Sequence, residues 1–575
     1  MLTSQLFAGD DLLQRISDGG PERISRFQNS TAPAVLKVQQ ALLIWDAAAL
    51  PLHGADGTYG SETASAVVRF KVTELLVPPD QLVDDVGPRT VLRLDEIAKA
   101  AEPAPTPVEP TAFVRQDVYD LQPPGAPLHP IIAAYAVAVR ELKRNAGPQH
   151  RLWSFHTQVH GMSPDPLDGL RNQCQHFCWY FLPWHRMYLH SFEAICRSII
   201  AESDEVDDDT KATWALPYWD YDRDGTRELP PVFREPTLNG APNPLFEPFR
   251  NPGLNSPVLF QGEAAPRLAR LVPAQTTARG WFFATPYSDR FVPAFGGTET
   301  GFNHGNAPGA TPGPLEITPH GSVHVFVGGR MNDFNQAAGD PIFWLHHCNL
   351  DRLWEVWRTS TGLGLDPRGS RFVDQTFEFL DAAGARLEPT CGSVLNVANL
   401  GYSYADTSIP ASAGAGGPMD DPNRGPQRPP DKRNAPRRVG AVDEPVRLQS
   451  GARDVEFSTD APATRGDERF LVAVEHISAD DLPKAEWGVF LQPTSGDPVL
   501  VGTLPLFGLR ESNQPDADHE LSYVFDITAL VHVLDAEGRW DADRFRAKLA
   551  QVNAVPVDGE PEPEVVIGTI ALLVQ

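Results

Sequence analysis

The sequence predicts a multidomain chain: a small N-terminal helical domain, a mainly α central domain and a C-terminal antiparallel β-sandwich or barrel. Three observations predict it. At 575 residues the chain exceeds what one ordinary core holds. Two breaks in composition interrupt the apolar pattern: 102–112 is rich in Pro and Ala, and 405–445 is rich in Gly, Pro, Asp and Arg. Helical spacing dominates before the second break, and short β-branched and aromatic runs follow it. The resulting boundaries are 1–101 for the helical module, 102–112 for a linker, 113–404 for the central domain, 405–445 for a flexible linker and 446–575 for the β-rich domain.

In the first module Val35, Val38, Leu42 and Leu43 recur at helical spacing, and Ala66, Val67 and Phe70 do so after a Gly-containing turn. Asp56, Gly57, Tyr59, Gly60 and Thr63, followed by Asp84, Val86, Gly87, Pro88 and Thr90, resemble the peptidoglycan-binding-like three-helix domain over about 34–97. Lys71 stands where that pattern has Gln and Asp85 where it has Gly. The resemblance implies a structural or docking add-on, with a glycan or a protein as what it docks to, in preference to a working cell-wall module.

In the last domain the runs Phe470 to Val474, Trp487 to Leu491, Val499 to Leu504, Leu521 to Phe525 and Val565 to Leu573 alternate with turn residues, the pattern of antiparallel strands. Such a domain serves stability, or covers a site on its neighbour.

A formal net charge of -27 repels polyanions, so nucleic acid and anionic membranes are excluded as partners and small neutral or cationic molecules are favoured. No run of about 18 apolar residues suggests a membrane span. The first residues carry Asp10, Asp11, Arg15 and Asp18 and lack a signal-peptide core, which predicts a cytoplasmic product as synthesised, with export alongside a partner left open. Five cysteines, Cys174, Cys178, Cys196, Cys348 and Cys391, are too few and too uneven for a disulfide framework. A homo-oligomer is open to the chain.

The central domain holds two histidine clusters. In one, Pro183 fits the first turn of a helix that carries His185, with His176 and His160 upstream in aromatic segments. His156, four residues before His160, is a second candidate there. In the other, His320 and His324 are spaced to share a helix face, and the stretch from Asp340 to Trp354 adds the adjacent pair His346 and His347. Imidazole-only ligation suits copper, zinc, iron or nickel, and three imidazoles per ion leave positions open for a small ligand.

His176 to Glu193, reading His-Phe-Cys-Trp-Tyr-Phe-Leu-Pro-Trp-His-Arg-Met-Tyr-Leu-His-Ser-Phe-Glu, resembles the copper A signature of tyrosinases, catechol oxidases and molluscan haemocyanins, and Asp340 to Trp354 resembles their copper B signature. The resemblance implies a four-helix bundle around two copper ions, with O₂ as co-substrate and no catalytic side chain beyond the copper ligands. It implies His160, His176 and His185 as ligands of one copper and His320, His324 and His347 as ligands of the other. The Val159-His160-Gly161 context resembles the family's first position. It further implies a thioether between Cys174 and His176, outer-shell roles for His346, Phe343 and Asp351, with Asp351 orienting a copper B imidazole, and a structural tyrosine motif, Tyr402-Ser403-Tyr404, packed near Arg115.

The implied activity is oxidation of small phenolic substrates, o-diphenols to o-quinones, with hydroxylation of monophenols open. Gly321 stands where strong monophenol hydroxylases carry Asn, which tilts the expectation toward diphenols, while Val325 leaves the substrate path open. The C-terminal domain resembles, in position and strand content, the shielding domain of latent polyphenol oxidases. The loop Leu504-Pro505-Leu506-Phe507-Gly508 is the candidate entrance plug, with Phe507 as the inserted side chain. Arg424, Arg428, Lys432, Arg433, Arg437 and Arg438 make the flexible linker a protease target. Two other classes stay open: a haemocyanin-like reversible O₂ carrier, and a zinc-containing cell-wall-binding protein.

Overall fold

The structure is a computed structural model that describes residues 2–4, 6–7, 9–46, 49–50, 55, 57–78, 82–101, 113–161, 170–255, 270–271, 276, 287–288, 294–301, 310–359, 366–367, 369–410, 435–449, 451–461, 468–481, 483, 485–509, 521–553 and 563–575. Asp56, the segment 102–112, and Arg424, Arg428, Lys432 and Arg433 lie outside the described residues. The chain divides into two compact units, one over 1–109 and one holding the central and C-terminal regions.

In the first unit the apolar spacing folds as expected, with Val35, Val38, Leu42, Ala66, Val67 and Phe70 in one core. Among the described residues there are four helices rather than three: Asp11–Ser17, Pro33–Trp45, Ser61–Glu74 and Pro88–Ala101. The added first helix is started by Asp10, whose carboxylate accepts from the Leu13 N–H at 3.0 Å. The two departures from the resembled pattern pair with each other: the Lys71 ammonium donates to Asp85 at 2.9 Å and to the Val83 carbonyl at 2.9 Å. A buried lysine needs such partners, so the exchange is a matched one.

The central region is helical. Phe181–Glu202 packs against Pro130–Lys143 and Ile342–Thr359. A stacked pair, Phe192 on Trp344 with centroids 3.4 Å apart, lies between Phe181–Glu202 and Ile342–Thr359. The short strands Phe113–Arg115 and Tyr402–Tyr404 pair in parallel, so the two ends of the region meet.

That meeting point is ionic and buried. Arg115 donates to Glu193 at 2.9 Å and to Asp351 at 3.2 Å, and its guanidinium lies 3.7 Å from the centre of the Tyr402 ring. Arg186 donates to the other Asp351 oxygen and stacks on Trp354 at 3.8 Å. The Tyr402 and Tyr404 hydroxyls donate to Asp351 at 2.6 and 2.5 Å. The expectation that Asp351 orients a copper B imidazole is corrected: both its oxygens are taken by arginines and tyrosines, because two buried guanidiniums demand a counter-charge.

The C-terminal region holds two antiparallel sheets. One runs in the order Leu521–Asp526, Phe470–Ala479, Val565–Val574, Arg437–Val442, with Val446–Leu448 also beside Val565–Val574. The other runs Val499–Leu504, Glu486–Leu491, Arg544–Asn553, Ala452–Ser458. All five expected strands are present. The sequence reading missed Ala452–Ser458 and Arg544–Asn553, where alternating charged residues face solvent, and the helix Thr528–Ala536. The flexible linker is also corrected: Arg437 and Arg438 lie in a strand and pair with Val574 and Leu573, so this part is no open protease target.

Both sheets contribute to one hydrophobic cluster, which Phe177, Ile317, Val325 and Phe334 of the central region join. Among the described residues, no helix is long and apolar enough to cross a membrane.

Replacing Asp351 by Asn leaves Arg115 and Arg186 short of a buried counter-charge, which is expected to cost about 3–5 kcal/mol. Urea unfolding followed by tryptophan fluorescence should show the midpoint fall accordingly. Burial alone would raise the Asp351 carboxyl, but the Arg186 and Arg115 charges outweigh it and hold it below its ordinary range. Its contribution to stability is thus complete above the unfolded value of about 3.9 and is lost as the pH falls below it.

Candidate metal centre

Among the described residues, two groups of side chains converge as metal sites do. His160, Cys174, His176 and His185 offer ligand atoms within 4.8 Å of one another, and His320, His324, His346 and His347 do the same; all eight are buried. The two groups adjoin: the His185 and His347 rings stack with centroids 4.5 Å apart, and His176 lies 5.8 Å from His320.

Helices set the positions. His160 ends the helix Trp153–His160, and His185 lies in the second turn of Phe181–Glu202, with Pro183 in the first as expected. His320 and His324 do not share one regular helix: a six-residue π-helical segment, Glu316–Gly321, runs into Ser322–Val327, with Thr318 non-helical and Pro319 inside. Their rings nevertheless meet edge to face at 4.6 Å. His346 and His347 sit on Ile342–Thr359.

The hydrogen bonds determine which nitrogen is available. Nδ1 of His160 contacts the Phe334 carbonyl at 2.8 Å, that of His185 the Phe181 carbonyl at 2.8 Å, that of His320 the Glu316 carbonyl at 3.0 Å and that of His324 the Met331 carbonyl at 2.5 Å. A carbonyl only accepts, so each Nδ1 carries the proton and each Nε2 is the lone-pair nitrogen. His320 Nε2 has no hydrogen-bond partner, and His324 Nε2 faces His347 Nε2 at 3.3 Å. Burial, before any neighbouring charge, pushes His185, His320, His346 and His347 well below the ordinary histidine range and His324 to about 3. Neutral, oriented imidazoles with lone pairs converging in a dry site are what a transition-metal ion satisfies, whereas calcium and magnesium take oxygen ligands, which neither group offers among the described residues.

The other expected residues fall as follows. His156 is outside the cluster: its Nε2 bonds the His150 carbonyl at 2.8 Å and its ring packs edge-on to Phe192. Cys174 Sγ lies 3.5 Å from His176 Nδ1 and 3.9 Å from His185 Nε2. Phe343 lies between the groups, 4.9 Å from His160 and 4.2 Å from His347. His346 stays on one side, 5.0 Å from His324 and 5.8 Å from His320, whereas His347 touches rings of both groups. Gly321 and Val325 are buried beneath the C-terminal region, Gly321 against Pro505 and Val325 in the shared hydrophobic cluster. The Phe507 ring stacks on His324 at 4.1 Å and lies 5.3 Å from His320.

Two residues went unread in the sequence. Phe334 stacks on His176 at 4.4 Å, from a stretch with no periodicity to signal it. Glu316 is a buried carboxyl whose one oxygen accepts from the Phe177 N–H at 2.6 Å while the other has no partner, and burial raises it well above the carboxylate range. Its place four residues before His320 was the available signal. With His320, Gly321, Pro505, Phe507 and Tyr523 it lines a narrow cleft.

Residues 149–360 match the common central domain of tyrosinase, and residues 439–575 match a domain of unknown function. A tyrosinase of Hahella sp. (strain CCB-MM4) is 29% identical over 484 residues, covering 76% of this chain and 94% of that one. A chloroplastic polyphenol oxidase of Malus domestica is 28% identical over 245 residues, covering 41% of this chain and 39% of its own length. The fold is similar to that of latent apple tyrosinase, with a TM-score of 0.53 at 20% identity over 80% of this chain and 97% of that chain.

The placement of His156 and His160 yields a paired expectation. Equilibrated with a transition-metal ion and measured by elemental analysis, His156→Ala should keep the metal content of the unaltered chain. His160→Ala should lose one equivalent, and equal contents would contradict the assignment of His160 to the cluster.

Proposed function

The chain belongs to the tyrosinase and polyphenol oxidase family, and from that membership we propose that it is a latent dicopper phenol oxidase that favours o-diphenols. The observation that carries the reading is the pair of adjoining buried histidine groups, with the Nδ1 protons of His160, His185, His320 and His324 committed to carbonyls. In this reading His160, His176 and His185 hold one copper and His320, His324 and His347 the other, with the helices that carry His160, His185, His324 and His347 as the bundle around them and His320 on the π-helical segment that leads into one of these. His347 is preferred to His346 because its ring also touches the first group. When bound, the two coppers pass electrons between phenol and O₂, so that two catechols and one O₂ become two quinones and two waters.

The protein supplies orientation and dryness. Phe343 and Phe334 hold imidazole rings in place, and the carbonyls of Phe334, Phe181, Glu316 and Met331 keep each Nε2 aimed inward. The 3.5 Å approach of Cys174 to His176 supports a thioether that would fix that ring further. A peptide carrying both residues would then be two hydrogens lighter by mass spectrometry than its unlinked form.

Gly321 offers no carboxamide beside His320 to assist deprotonation of a monophenol. Loss of an assisted proton transfer costs on the order of 10²-fold or more. The C-terminal sheets, read as a sandwich, act as a cover: Phe507 holds an aromatic ring against His324 where a phenol ring would have to lie. The N-terminal module is read as a docking unit for a glycan or a protein.

Copper quantification with oxygen-uptake assays tests this. Expected are two coppers per chain, faster uptake with catechol than with a monophenol, and a rise in both after proteolysis between the central domain and the strand Arg437–Val442. Reversible O₂ binding without catechol turnover, before and after cleavage, would make the chain an O₂ carrier instead, and zinc in place of copper would overturn the reading.

A further inference from the structure

The cover meets the metal centre at a backbone atom that carries no side chain. A Cβ placed on Gly321 would lie 2.7 Å from Pro505 Cγ and 3.1 Å from Pro505 Cβ. Carbon atoms rest at about 3.5–4.0 Å. The pyrrolidine ring is tied to its own backbone and has no rotamer by which to withdraw.

The contact is reciprocal. Gly508 has φ +88°, and a Cβ there would lie 2.9 Å from Phe334 Cζ and 3.3 Å from Phe177 Cζ. Each region thus presents one bare glycine to a ring of the other, and Phe507 lies between the two contacts. Leu506, at φ 59°, turns the loop.

Sliding does not relieve the contact at Gly321. On the two sides of it, Ser322 Oγ donates to the buried carboxylate of Glu486 at 2.5 Å, and the hydroxyls of Thr318 and Thr503 bond at 2.7 Å. These bonds hold the backbone around Gly321 against the strands Glu486–Leu491 and Val499–Leu504.

We propose that Gly321 determines latency as well as phenol preference: its bare backbone is the seat for Pro505, and a side chain there lifts the loop 504–508 and carries Phe507 away from His324. This deepens the cover reading above and rests on it. A carboxamide at 321 and this closed cover exclude each other, so in this chain the geometry trades assistance to monophenols for a seated cover.

The test uses the full-length chain with Gly321→Ala, Gly508→Ala, Pro505→Gly and the double variant Gly321→Ala/Pro505→Gly. Two readouts are taken: the ratio of catechol oxidation before to after proteolytic release of the cover, and hydrogen–deuterium exchange of 499–509 in the metal-free chain. Gly321→Ala should raise the ratio roughly tenfold, the scale of an overpacked contact, and speed exchange in that segment. Gly508→Ala, which alters only the cover, should move both the same way, and the double variant should return both toward the parent. A Gly321→Ala chain as latent and as protected as the parent would overturn the proposal, and so would a double variant that stays open. If no form oxidises phenols after cleavage, the oxidase reading fails, while exchange in the metal-free chain still decides whether Gly321 is the seat.

Discussion

Four buried imidazoles give their Nδ1 protons to main-chain carbonyls, and the rest of the molecule is arranged around the consequence. A neutral imidazole whose proton is committed must satisfy its other nitrogen as an acceptor, and inside a dry core a metal ion can do that where water cannot. The carbonyls belong to helix turns for His185 and His320, to the short 3-10 helix Gly329–Asn332 for His324 and to the turn after it for His160. The stretch Met331 to Phe334 is therefore as much part of the centre as the helices are.

Helix height is held by the ionic knot nearby. His347 and Asp351 are one turn apart on Ile342–Thr359, and His185 and Arg186 are neighbours on Phe181–Glu202. The Arg186 to Asp351 ion pair thus ties together the two helices whose imidazoles stack, and Arg115 adds the strand that closes the region. Buried charges of this kind contribute little net stability compared with apolar packing, yet each is costly to leave alone, so the arrangement has one satisfied solution. The signature's Asp351 is better understood through this knot than through contact with an imidazole.

The C-terminal sheets extend the same core. Val325 and Phe334 belong both to the surroundings of the histidines and to the hydrophobic cluster of the sheets, so the sheets pack against the central region as an interior and that contact is close and apolar. Ser322 and Thr318 add directional bonds to that contact.

The histidine motifs, the helical spacing around them and the five most apolar strands were legible because each is a local pattern: fixed intervals, a helix-starting proline, β-branched runs. His160 could be told from His156 only by family context, and it was the fold that put one ring in the cluster and the other against Phe192. Arg437–Val442 looked like linker because its pairing partner lies more than a hundred residues away. By itself the sequence determined which side chains could bind metal, since that depends on residue type and spacing, while the kink between His320 and His324 came from the fold. Only the tertiary structure decided what Asp351 faces, that Glu316 and Phe334 belong to the site, and that Gly321 meets Pro505. Those contacts join residues far apart in the chain, and their geometry follows from how whole elements pack rather than from any residue's neighbours in sequence.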